Sequence, residues 1–162
     1  MSTNKALRKD YRASVAYEDD FAAWAVSQAE ALRTGAPLDV PNLAEEIEYL
    51  SRHQHLELRS RLRILSLHIL KWQHQPEHRT GSWGSTIVEQ QAEIRLLLED
   101  SPSLSRLVET YLNREYPKAR RQASLETGLD LSRFPEDASS VRAAVLDVIN
   151  EERDALDRYR MP

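Results

Sequence analysis

From Asn42 to Gln75 the chain contains neither proline nor glycine, and no other stretch constrains the fold as strongly. Those two residue types interrupt helices, proline by removing an N–H and clashing with the preceding turn, glycine by its backbone freedom. With Asn42 as a cap and Glu45 three positions on in capping-box spacing, the pattern predicts one helix over about residues 42–73. Such a helix is roughly 45 Å long at 1.5 Å per residue. Leu43, Ile47, Leu50, Leu58, Leu62, Leu65, Ile69 and Trp72, with Gln54 in phase among them, form one stripe along it. From Leu62 onward, Ile64, Leu67 and Leu70 add apolar groups on other faces, so the second half is expected to be enclosed by neighbours.

The remaining elements follow from the same signals. A first helix is expected from about Asp20 to Thr34, with Phe21, Trp24, Ala25, Gln28 and Leu32 recurring at helical spacing and Gly35 as its C-terminal cap. After the PEHRTGSW bend, a third helix begins at Ser82 or Ser85 and ends at Glu99 or Asp100. Ser101 and Pro102 read as cap and first position of a fourth, which Pro117 should kink or split and Gly128 should end. A last helix is expected from Ser139 or Ser140 to about Tyr159. The fold class is therefore all-α: a single-domain bundle of about five helices around a long central helix, preceded by a flexible segment over residues 1–16.

Composition removes several functions. No cysteine is present, so disulfides, thiolate metal sites and a cysteine nucleophile are out, and a reducing cytoplasm suits the chain. The N-terminal residues hold no apolar run of signal-peptide length, and no window approaches the roughly 18 apolar residues that span a bilayer. Four glycines in 162 residues leave no glycine-rich phosphate loop, and no Gly-x-Ser-x-Gly elbow is present. A soluble, cytoplasmic protein is the expectation, with a binding role favoured over catalysis and the question of an enzyme left open.

Net charge is −4, but unevenly spread. Asp39, Glu45, Glu46 and Glu48 make residues 39–50 acidic, while residues 52–79 and 106–122 are basic. All five histidines fall between His53 and His78. His74 and His78 have the i, i+4 spacing of a chelating pair, yet Pro76 lies between them and breaks the helical geometry; His53 and His55 point about 200° apart on a helix. No metal and no cofactor are expected. Beside the apolar stripe, Glu57, Arg61 and His68 are the candidates for a ligand-facing polar wall, against an ordinary reading in which Glu57 and Arg61 brace the helix and His68 is a satisfied core histidine. Arg52, Arg59, Arg63, Lys71 and Arg79, with Lys118, Arg120 and Arg121, are the candidate nucleic-acid contacts, with Trp72 or Trp83 nearby.

The segments YEDDFAAWAVSQAEALRTG, NLAEEIEYL, LRILSLHILKWQHQPEHRTGSWGSTI, SPSL and ARRQASLETGLDLSRFPED together resemble the bacterial family catalogued as domain of unknown function 29. The resemblance covers about residues 17–137, in order and with short gaps. It implies a small helical bundle and carries over no activity, cofactor or catalytic residue. After Pro135 the family closes with a short aromatic segment, whereas here a charged helix, about 139–160, follows.

The leading functional expectation is a non-enzymatic helical interaction or scaffolding module, bound to an unknown protein partner or to itself. Its last helix motivates that reading, because an apolar stripe there runs into the densely charged NEERDALDRYRMP. The alternatives are a nucleic-acid-binding protein using a basic face of the second and fourth helices, and a small-ligand pocket or enzyme around His68.

Overall fold

The computed structural model describes residues 15–150. Among them are five α-helices and no strand: α1 Phe21–Thr34, α2 Val40–His74, α3 Gly81–Asp100, α4 Val108–Thr127 and α5 Ser139–Asn150. Short 3₁₀ turns occupy Pro76–His78, Pro102–Leu107 and Leu131–Arg133. The fold is all-α, as periodicity and composition predict. No helix among the described residues is long and apolar enough to cross a membrane. The expected flexible segment before Tyr17 and the end of the last helix beyond Asn150 lie largely outside the described residues.

The chain forms two compact units, one ending at Arg52 and one beginning at His53. In the first, local chemistry sets both ends of α1. The Asp20 carboxylate accepts from the Ala23 N–H at 3.0 Å, and Gly35 turns the chain at φ 72°, a left-handed conformation that glycine adopts without a Cβ penalty. Trp24 is buried, and its indole N–H donates to Asp39 Oδ2 at 3.1 Å. Tyr17 stands edge-on to that indole at 4.9 Å and donates its hydroxyl to Glu46.

Asp39, rather than Asn42, caps α2. Its carbonyl accepts from the Leu43 N–H at 3.0 Å, and its carboxylate takes the Asn42 side-chain N–H at 2.7 Å. The Asn42 bond holds the carboxyl below the usual range against a rise from burial, with the Trp24 indole adding to the lowering. The helix thus starts two residues earlier than the spacing suggested. Pro41 falls in its first turn, where a missing N–H costs nothing.

In the second unit α2 is the spine. Leu58, Leu62, Leu65, Ile69 and Leu70 are buried against Ile87, Ile94 and Leu98 of α3, Val108, Leu112 and Tyr116 of α4, and Val141 and Val145 of α5. Each such side chain contributes roughly 1.5–3 kcal/mol on leaving water. Ala119 and Ala123 complete the inner face of α4. The side-chain partners of α2 and α4 advance together, His55 with Tyr111, Arg59 with Glu115 and Lys71 with Glu126, so the two helices run parallel. On α5, the Ala144 carbonyl accepts from Gln91 of α3 at 3.1 Å.

Two local expectations are corrected. Ser101 makes no side-chain cap; its hydroxyl donates instead to Gln54 Oε1 at 3.0 Å. Nor does Pro117 split the fourth helix, which is continuous from Val108 to Thr127. Its ring lies on the exposed side, and one ladder hydrogen bond, to the Asn113 carbonyl, is lost there.

Candidate functional site

The densest polar geometry of the second unit lies where α2 meets α4. On α4 the buried phase Val108, Leu112, Tyr116, Ala119 also carries Glu115, which is 3% exposed. Arg59 reaches its Oε1 with Nε at 2.7 Å and Nη2 at 2.6 Å, and Lys118 Nζ lies 2.8 Å from Oε2. Burial by itself pushes the Glu115 carboxyl up, but the bonds from Lys118 and Arg59 and their charges outweigh it and hold the group below the usual carboxylate range. One turn earlier, the Arg59 guanidinium stands 6.0 Å from the Tyr111 ring, whose hydroxyl is 2.8 Å from His55 Nδ1. Both oxygens of the Glu115 carboxylate are thus matched by cationic donors within the chain, which makes the seam an internally paired ion cluster.

Glu57, Arg61 and His68 do not converge. Arg61 donates to Glu57 Oε1 from Nη2 at 2.7 Å and Nε at 3.0 Å, and its Nη2 also lies 2.9 Å from Glu93 on α3. His68 donates from Nδ1 to the Ile64 carbonyl one turn back, at 3.0 Å, and the charge it influences is that of Glu126. The first pair braces α2 against α3, and the imidazole belongs to the other polar cluster.

That cluster holds Lys71, 8% exposed, whose Nζ is 2.6 Å from Glu126 Oε2 and 4.5 Å from the Trp83 ring centroid. Gln122 donates to the other carboxylate oxygen at 2.8 Å. Arg79 stacks on Trp72 at 4.9 Å and donates to its carbonyl at 2.9 Å. Arg120 donates to the carbonyls of Phe134 and Leu131, both at 3.1 Å. Of the cations read as nucleic-acid contacts, then, Arg59, Lys71, Arg79, Lys118 and Arg120 are engaged within the fold. Arg52 and Arg121 are exposed, and Arg63 is half-buried.

The histidines are likewise dispersed. His74 packs edge-on to Phe134 at 4.9 Å, and burial, with the nearby Arg133 charge, lowers its pKa. His78 sits in the 3₁₀ turn after Pro76, and His55 is taken by Tyr111. Among the described residues no group of three or more His, Asp or Glu side chains could hold a metal ion.

The first unit differs in kind. The α2 stripe is one continuous line in the sequence, with enclosure expected from Leu62 onward; in its first half Val40 is 63%, Ile47 66% and Leu50 64% exposed, with Ala44 exposed between them. At 100° per residue these four share one face, flanked on one side by Glu48 and Glu45 and on the other by Glu46. The reason is positional: Trp24 of α1 and Tyr17 just before that helix reach this segment through Asp39 and Glu46, leaving the Val40–Ile47–Leu50 face uncovered.

Sequence reasoning passed over Glu115, Glu93 and Glu126 as paired groups. Glu115 did carry a signal, because a carboxylate in phase with buried leucines needs cationic partners. The other two lie at the edges of their faces, where phase says nothing.

The family model described as Domain of unknown function DUF29 matches residues 16–150. The match takes in α5 as described as well as the four helices before it. No curated protein and no solved structure matches the chain.

Proposed function

The chain belongs to the family described as Domain of unknown function DUF29, a description that names no reaction, and from its own geometry we propose that it is a protein-interaction module. The exposed stripe Val40, Ala44, Ile47, Leu50 carries the reading. Large apolar side chains aligned on one helix face and open to water are what helix-in-groove and helix-on-helix recognition use. The acidic rim selects the partner. Residues 39–50 hold four carboxylates and no cation, so a helix whose contact face mixes apolar groups with lysine or arginine is attracted, and an acidic one is repelled.

Two further observations support binding over catalysis. The polar seams of the second unit are internally neutralised, and the His68 region offers a satisfied imidazole rather than a convergent acid–base pair. The reading takes the protein as cytoplasmic, a setting that its lack of cysteine suits.

Peptide titration tests it. A helical peptide with leucines at heptad spacing and lysine flanks is labelled and titrated by fluorescence anisotropy beside a glutamate-flanked twin. The lysine peptide is expected to bind at least about tenfold tighter, and Ile47→Glu with Leu50→Glu to abolish that binding. Equal binding of the two peptides, or no binding of the lysine peptide, overturns the proposal.

A further inference from the structure

We infer that the partner of the acidic stripe is the outer face of α4 in a second copy of the chain, so that copies associate head to tail. This rests on the docking reading above and names its occupant. On α4, Arg114, Lys118, Arg121 and Leu125 follow one another at four, three and four residues, which places them in a single ridge, and all four are exposed. Leu125 is 79% exposed. Lys118 holds Glu115 from this ridge, whereas the side chains of Arg114 and Arg121 make no hydrogen bond or ion pair with any described residue.

The two faces match in length and in charge. From Val40 to Leu50 the stripe spans about 15 Å of helix, and from Arg114 to Leu125 the ridge spans about 16 Å. Glu45 and Glu48 flank the first, and three cations line the second. Leu125 and the aliphatic stems of Arg114, Lys118 and Arg121 supply apolar surface to meet Val40, Ile47 and Leu50.

Charge also decides the symmetry. A two-fold contact of stripe on stripe brings Glu45, Glu46 and Glu48 of both copies together, and ridge on ridge gathers six cations. Each self-pairing is repulsive, while stripe on ridge is attractive. The favoured contact is heterologous, and such contacts propagate into chains or rings rather than closing as a dimer. Two single-helix faces fall below the roughly 800 Å² per partner of a standard stable interface, so the association is weak and salt-sensitive.

The experiment uses two charge-reversed proteins, Glu45→Lys with Glu48→Lys and Arg114→Glu with Arg121→Glu, each checked for native thermal unfolding. All substituted positions are exposed, and Arg114→Gln with Arg121→Gln serves as a milder variant if the reversal disturbs folding. By light scattering at about 100 µM and about 50 mM salt, the native mass is expected to exceed a monomer and to return to it near 500 mM. Each variant alone stays monomeric. An equimolar mixture associates again, because the intact acidic stripe of one meets the intact basic ridge of the other, and the two reversed faces also match.

A native protein that stays monomeric at low salt, variants that self-associate like the native chain, or a mixture that remains monomeric each overturns the inference. The ridge variant keeps its stripe and still binds the lysine-flanked peptide. Peptide binding without self-association thus sinks this inference alone, and absence of both sinks the docking reading with it.

Discussion

Arg59 and Glu115 lie 56 positions apart in the chain, yet the guanidinium Nη2 and the carboxylate Oε1 are 2.6 Å apart on two parallel helices. The pair locks the register of α4 against α2. Because the carboxylate is buried and takes bonds on both oxygens, removing its charge leaves Arg59 half-enclosed without a counter-ion.

Glu115→Gln is therefore expected to destabilise the protein by about 2 kcal/mol at pH 7, a fall in Tm of about 4–8 °C for a chain of this size. The pH dependence has a definite sign. Glu115 is held below the usual carboxylate range when folded, so its contribution is complete above the unfolded value and is lost as pH falls through the lower folded one. Melting curves from pH 7 to pH 3 are expected to show the native and Glu115→Gln proteins converging at the acid end. A gap that widens towards low pH would contradict the assignment.

The bundle was legible because its punctuation is local. Asp20, Gly35, Pro76 and Gly128 act on their own turns, and the structure finds helix ends at or beside each of them. Ser101 was misread for the opposite reason: its hydroxyl is claimed by Gln54, 47 residues away, which no local pattern reveals. The same holds for the polar clusters. The i, i+4 pair Glu57 and Arg61 is visible in the sequence, while Glu93, the third member, comes from another helix. Periodicity marked Leu50 and Leu62 as one stripe, but it reports phase, not whether a neighbour arrives to cover it.

That distinction gives a direct comparison. Leu62 is fully buried, so Leu62→Ala opens a cavity and is expected to cost about 2–5 kcal/mol. Leu50, on the same stripe and 64% exposed, loses little when truncated, within about 0.5 kcal/mol. Urea unfolding of the two variants checks this, and comparable losses would mean that Leu50 is covered in solution.

Glycine substitutions separate backbone strain from packing. Gly128 closes α4 at φ 71°, so Gly128→Ala forces an L residue into the left-handed region and is expected to cost about 1 kcal/mol. Gly84, inside the first turn of α3, has right-handed helical geometry, and an added Cβ meets the Trp72 ring at an ordinary 3.6 Å. Gly84→Ala is expected to be neutral or to stabilise by up to about 1 kcal/mol through helix propensity. The ordering of the two thermal midpoints is the test.

Lys71 offers a spectroscopic check of the second polar cluster. Its ammonium is nearly enclosed, 2.6 Å from Glu126 and over the Trp83 ring, whereas Glu126 keeps over a third of its side chain in water. Replacing it by methionine retains the stem and removes the charge. Because Glu126 can be solvated and still accepts from Gln122, the loss is expected to be small, about 1 kcal/mol or less. Burial opposes ionisation of Glu126, and the bonds from Lys71 and Gln122 overcome it to hold the carboxyl below its usual range. Without Lys71 that carboxyl rises towards its unfolded value, so the variant should lose less stability than the native protein on acidification, and the two acid limbs should converge. Trp83 loses the cation above its ring, and its emission is expected to shift between the native and Lys71→Met proteins when Trp24 and Trp72 are replaced by phenylalanine in both. Unchanged emission together with an unchanged acid limb would show that the ammonium does not occupy this position in solution.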